Sequence, residues 1–261
     1  MLMAFILHQT NCILYCLSIE NDFMETLKGK NILIVGATGG IGRQTAKLLA
    51  QSGANLFLSG RNADKLNQLA AELKINSDKV FAVDITQPAD MNALKEKFFT
   101  VYTAIDILVN AAGIGIIKSM DTLSEVEFLR TLHANLFGPF LLMKSFLPNM
   151  KENKKGLIIN IPGVLGKVPM AGAAAYSASK YGLVGMMQSI REEVKRTDIR
   201  ITNLFMGGAD TPFWDAIDLR VQRDKMIMAE EAARAIWFLC QQPASGVVSE
   251  MVLQPFNHQA I

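Results

Sequence analysis

Tyr176 and Lys180 stand four residues apart in a stretch with helical patterning, so both side chains project from one helix face. A free phenol ionises near pH ~10 and is a poor base at neutrality, and an ammonium group beside it favours the ionised form. A phenol so placed can hand a proton to a carbonyl oxygen or accept one in reverse. Ordinary helices contain such a pair by chance, so it carries weight only in company. A second group lies near the start, where Ile32-Leu33-Ile34-Val35-Gly36-Ala37-Thr38-Gly39-Gly40-Ile41-Gly42 places glycines between a strand and a helix. Residues without a Cβ let the backbone approach a pyrophosphate, which then rests on the positive end of the helix. Tight turns also use glycine for purely conformational reasons. The readable strand before this loop and helix after it supply the context that a dinucleotide loop requires.

Dinucleotide sites commonly carry an acid at the end of the second strand, where it holds a ribose 2′-hydroxyl. Here that point reads Leu58-Ser59-Gly60-Arg61-Asn62, with no carboxylate. Arg61 offers a planar, permanently charged fork suited to a 2′-phosphate, although a solvated loop arginine would look the same. The missing acid favours NADP(H) over NAD(H).

The remaining reactive side chains suggest no metal. Three cysteines (Cys12, Cys16, Cys240) and three histidines (His8, His133, His258) show no paired ligand spacing. Their odd, sparse number fits a reducing, cytoplasmic setting better than a disulfide framework. The 26 basic and 24 acidic residues are mixed along the chain and leave a net charge of +2, so no basic stripe points to nucleic acid.

The elements that must position these groups alternate between short β-rich runs and helices. Asn31–Val35, Asn55–Ser59, Lys79–Val83, Ile105–Asn110, Gly156–Ile161, Ile199–Phe205 and Glu250–Gln254 read as strands without polar alternation, as expected when both sheet faces are covered. Gly40–Gln51, Ala63–Lys74, Pro88–Phe99 and Ala229–Gln241 read as helices, with Pro88 suited to a first turn. Two longer helices, about Ser124–Lys151 and Ala173–Thr197, are apolar on more than one face, from core burial or from contact with another subunit. Met206–Met228 reads as irregular, and long loops of this kind usually cover a site. Repeated strand–helix–strand units imply one α/β domain: a doubly wound, Rossmann-type parallel sheet of about seven strands with helices on both faces. With 50% apolar and 19% charged residues among 261, the chain can fill such a core.

Residues 1–23 are expected to lie outside this fold, with the domain spanning 24–261. His8-Gln9-Thr10-Asn11 interrupts the first apolar run, leaving less than the ~18 apolar residues of a membrane helix, and neither a basic start nor a small-residue cleavage site marks a signal. No membrane partner is expected.

From about Lys28 onward the chain resembles a compact, single-domain short-chain dehydrogenase/reductase. Five segments occur in that family's order: Gly36–Gly42, Asp84-Ile85, Asn110-Ala111-Ala112-Gly113, Asn135, and Tyr176-Ser177-Ala178-Ser179-Lys180. The resemblance implies that Gly36, Thr38, Gly39, Gly40, Ile41 and Gly42 hold the pyrophosphate and that Asp84 and Ile85 border the adenine. Asn110–Gly113 and Gly207 would line the cofactor cleft, and Thr211 would meet the nicotinamide carboxamide. Tyr176 would be the proton donor or acceptor, Lys180 its tuner and ribose anchor, and Asn135 part of a proton relay. A small carbonyl or alcohol compound would be the substrate, and the two long helices would pair subunits into a homodimer or homotetramer.

One position departs from the family. Its usual serine, thirteen residues before the tyrosine, is Gly163 in Ile161-Pro162-Gly163-Val164-Leu165-Gly166, and Met206 stands where a proline usually precedes Gly207. Loss of one oxyanion-side donor typically costs ~10²–10³ in turnover. A water or the substrate itself could fill the role, or Gly163 could be glycine for conformational reasons. Two expectations follow: an NADP(H)-dependent oxidoreductase, or an NADP(H)-binding protein with little catalysis. Ile114, Ile116, Gly163, Val164, Leu165, Met206, Phe213 and Trp214 are expected to face the substrate, implying an apolar ligand.

Overall fold

The computed structural model describes residues 26–243 and 245–257; the expectation for residues 1–23 therefore lies outside the described residues. Seven strands form one parallel sheet: β1 (Asn31–Val35), β2 (Asn55–Gly60), β3 (Val80–Ala82), β4 (Ile107–Asn110), β5 (Lys155–Asn160), β6 (Asp198–Met206) and β9 (Glu250–Leu253). Their order across the sheet is β3-β2-β1-β4-β5-β6-β9, so the chain winds outward from β1 one way and then returns to wind the other way from β4. Between β1 and β4 lies the switch point, where Val35 pairs with Asn110 and both strands open a crevice at their carboxyl ends. Two further strands, β7 (Ala209–Asp210) and β8 (Ile227–Met228), pair with each other in the segment expected to be irregular.

Successive residues of one strand feed opposite cores, which is why the strands read as unbroken apolar runs. Leu33, Val35, Phe57, Leu108 and Ile158 pack on one face against Phe98, Leu142, Phe146, Leu183 and Met187. These come from α3 (Pro88–Val101), α5 (Gly138–Asn153) and α6 (Ala174–Val194). Ile32, Ile34, Leu58, Val109 and Ile159 pack on the other face against Ala46, Leu49, Leu66, Ile236 and Leu239. Those belong to α1 (Gly40–Gln51), α2 (Ala63–Leu73) and α7 (Ala229–Cys240).

The expected helix Ser124–Lys151 is interrupted. It runs as α4 (Glu125–Leu132), then a wider turn over His133–Phe137, then α5. Ser124 caps α4 reciprocally with Glu127. In the wide turn Gly138 N–H reaches back five residues to the His133 carbonyl, a π-type insertion of the sort that gathers at functional sites. Asn135 sits in this insertion.

Candidate active site

A cleft of about 1210 Å³ opens at the switch point, above the ~300–1,000 Å³ typical of a drug-sized ligand site, and so has room for a dinucleotide beside a small molecule. Its nucleotide end is built on close backbone approach. A Cβ on Gly42 would overlap the Gly36 carbonyl, and one on Gly36 would lie 2.7 Å from the Ala111 carbonyl, so the loop tolerates no side chain at either point. The N-terminus of α1 carries neither a side-chain cap nor an acid in its first turn, leaving its positive end open to the cleft. By contrast, the Asn62 side chain caps α2, accepting from Lys65 N–H at 2.8 Å. Arg61 and Lys65 line the cleft beside Gly60, and Arg61 has no ion-pair partner among the described residues. Asp84 is fixed by the Thr86 amide at 2.9 Å and hydroxyl at 2.8 Å. This cradle fits the pyrophosphate and adenosine of a nicotinamide dinucleotide.

The expected cofactor residues line the cleft, except Asn110 and Lys180. Asn110 is 2% exposed and turns into the sheet, where its amide donates to Asn160 Oδ1 at 3.1 Å. Asn110, Asn160 and Asn203 stand in register on β4, β5 and β6. Ala111, the residue after Asn110, takes the lining position instead. Ile116 does not line the cleft either; Ile117 does.

Around Tyr176 the arrangement is compact. Lys180 lies behind it, 4% exposed, with its ammonium 5.4 Å from the Tyr176 ring centroid and donating to the Ile161 carbonyl at 3.2 Å. Asn135 clamps the loop after β4. Its Oδ1 accepts from Ile114 N–H and its Nδ2 donates to the Ile114 carbonyl, both at 2.9 Å, and Nδ2 also reaches Ser179 Oγ at 3.1 Å. Ser179 in turn donates to the Tyr176 carbonyl at 2.7 Å, a link with no sequence signal beyond its place in the motif. Burial, rather than the neighbouring ammonium, governs both titrations. It raises Tyr176 above the ordinary phenol value and lowers Lys180 to about 8. The sequence-based expectation of a phenol made more acidic by Lys180 is therefore reversed in the free protein.

Gly163 has φ +71° and ψ 170°, a region essentially reserved for glycine. Open space is not the constraint, because an added Cβ would meet only the Met206 carbonyl, at 3.4 Å. The residue is glycine because of its backbone.

The substrate side of Tyr176 is walled by the loop between β7 and β8. Phe213 packs on Tyr176 with ring centroids 6.0 Å apart, and Trp214 stands edge-on to Phe213 at 5.4 Å. Arg223 holds this loop. It donates to Asp210 at 2.6 Å, to Asp215 at 2.7 Å and to the Thr211 carbonyl. Among the described residues no group of three or more His, Cys, Asp or Glu could hold a metal, and no helix is long and apolar enough to cross a membrane.

Residues 30–221 match the family model described as short chain dehydrogenase. The chain belongs to the short-chain dehydrogenase/reductase family. It is an oxidoreductase of this type, and it is 30% identical over 241 residues to an uncharacterised oxidoreductase of Staphylococcus saprophyticus, covering 89% of this chain and 98% of that one. A mouse dehydrogenase/reductase of the family, member 7B, is 32% identical over 69% of this chain and 58% of its own length. Among solved short-chain enzymes, an alcohol dehydrogenase from Thermococcus sibiricus complexed with 5-hydroxy-NADP superposes with a TM-score of 0.81 at 26% identity, covering 90% of this chain and all of that one. A metagenomic short-chain oxidoreductase in complex with NADP gives 0.75 at 29% identity, over 88% and 99%.

Proposed function

We propose that this protein is an NADPH-dependent reductase of carbonyl compounds, with Tyr176 as the proton donor. The observation that carries this reading is the phenol of Tyr176 at the cleft wall, with the Lys180 ammonium behind its ring. Bound NADPH would supply the hydride. Gly36 to Gly42 would hold its pyrophosphate against α1, Arg61 and Lys65 its 2′-phosphate, and Thr211 its carboxamide. Tyr176 then passes its proton to the substrate oxygen as negative charge develops there. Lys180 stabilises the phenolate left behind, and Asn135 keeps Ile114 and Ser179 in place around the pair.

Neighbours carrying NADP support NADP(H) over NAD(H), as does Arg61 in place of an acid. Exposed Val126, Phe140 and Tyr181 on α4, α5 and α6 support a homo-oligomer, and the sparse cysteines support the cytoplasm. One observation favours a second reading, an NADP(H)-binding protein with little turnover: Gly163, which lines the same cleft as Tyr176, has no side-chain donor.

The test is to mix the protein with NADPH and a panel of ketones and aldehydes and to follow loss of the reduced cofactor across pH. A reductase consumes NADPH. Its rate should fall on the alkaline side with an apparent pKa of about 8, because the depressed Lys180 loses its proton there and no longer supports the phenolate. NADPH binding without consumption at any pH would favour the second reading.

A further inference from the structure

Gly115 is a glycine with no conformational need for one, since its φ lies outside the left-handed region. Its reason is space. An ideal Cβ there would lie 2.9 Å from both Phe213 Cε2 and Ile217 Cδ1, and nearer still to Phe213 Cζ. The edge of Phe213 thus sits directly on bare Gly115 backbone, and its ring also packs on Tyr176. The loop that delivers it is fastened on both flanks. Arg223 ties Asp210 and Thr211 before Phe213 to Asp215 after it, and Trp214 Nε1 donates to the Ala209 carbonyl at 2.9 Å. That bond occupies Trp214's single donor, so the indole offers the cleft only apolar surface. Ile114, Val164, Leu165 and Met206 add apolar lining, and Arg130 and His133 line the same cleft.

We infer that Phe213, seated on Gly115, is the residue that sets substrate size: the site takes compact ketones and aldehydes and excludes bulky ones. This rests on the carbonyl-reductase reading above. The ring occupies the volume into which a large substituent on the carbonyl carbon would extend, and the fastened loop resists moving it.

The test uses NADPH-loaded protein with butan-2-one, acetophenone and 2-acetylnaphthalene as probes. Both kcat/KM and equilibrium binding, by quenching of tryptophan fluorescence, are measured for wild type, Phe213→Leu and Phe213→Ala. The preference for 2-acetylnaphthalene over butan-2-one should rise in the order Phe, Leu, Ala, by about tenfold to a hundredfold overall, with NADPH affinity unchanged. A ratio that stays within about twofold across the three proteins, in turnover and in binding, would overturn the inference. Should wild type reduce none of the probes, the reductase reading fails, while the binding series still decides whether Phe213 controls access. Loss of NADPH binding in both variants would show that Phe213 serves the cofactor instead.

Discussion

The two ends of the cleft are specified in different ways. At the nucleotide end, contacts are local: Gly36 to Gly42 are consecutive, and Arg61 and Lys65 flank one strand-to-helix turn. A Cβ at Gly36 or Gly42 would collide with backbone, which cannot yield. At the substrate end, Gly115, Gly163, Tyr176 and Phe213 come from four separate loops or helices, and Phe213 is placed by side-chain contacts that can repack. Backbone-defined binding demands a fixed sequence pattern, whereas a wall of side chains can be redrawn by changing one loop. Cofactor chemistry is therefore written as a motif and substrate choice is not.

Arg61 offers the largest separation between the ends. Arg61→Ala should weaken NADPH binding by about tenfold to a hundredfold, the ~1.5–3 kcal/mol of a charge-assisted hydrogen bond, and leave NADH nearly unaffected. Titration calorimetry with both cofactors reads this directly. Equal losses would mean that the guanidinium does not meet the 2′-phosphate.

A smaller effect is expected at Gly163. Its glycine-only backbone predicts that Gly163→Ala and Gly163→Ser each destabilise the fold by ~1–3 kcal/mol, seen as a lowered thermal midpoint. Restoring a serine should give no gain in turnover, because the loop must first leave its present path. A rise in kcat for Gly163→Ser alone would show that the family's hydroxyl still has a place here, and would draw the substrate end closer to a motif-defined site.

The same contrast explains what was legible in the sequence. All seven main strands and their parallel direction followed from unbroken apolar runs between helices, because burial on both faces leaves a strong imprint. The cofactor loop and the Tyr176–Lys180 face were readable from spacing. The π-type turn at His133–Phe137 was not, since one extra backbone residue per turn leaves the apolar pattern almost unchanged. Asn110 was expected in the cleft, yet its buried amide bonds Asn160 on the neighbouring strand instead. Gly163 was legible as a missing serine, with a constrained backbone as one alternative; only its φ of +71° shows that constraint, because φ is not written in residue identity alone. The seating of Phe213 on Gly115 depends on tertiary approach between distant segments, and no local rule announces it. Burial of Tyr176 against Lys180 likewise reverses the direction expected from their charges alone.

Tyr176→Phe tests the central claim most directly. It removes the hydroxyl while keeping the ring that packs on Phe213, so NADPH affinity and the thermal midpoint should hold. Rapid mixing of the NADPH-loaded variant with a carbonyl compound that wild type reduces should then show hydride transfer reduced to background. Transfer at a rate near that of wild type would contradict the account, since the proton would have to come from another group.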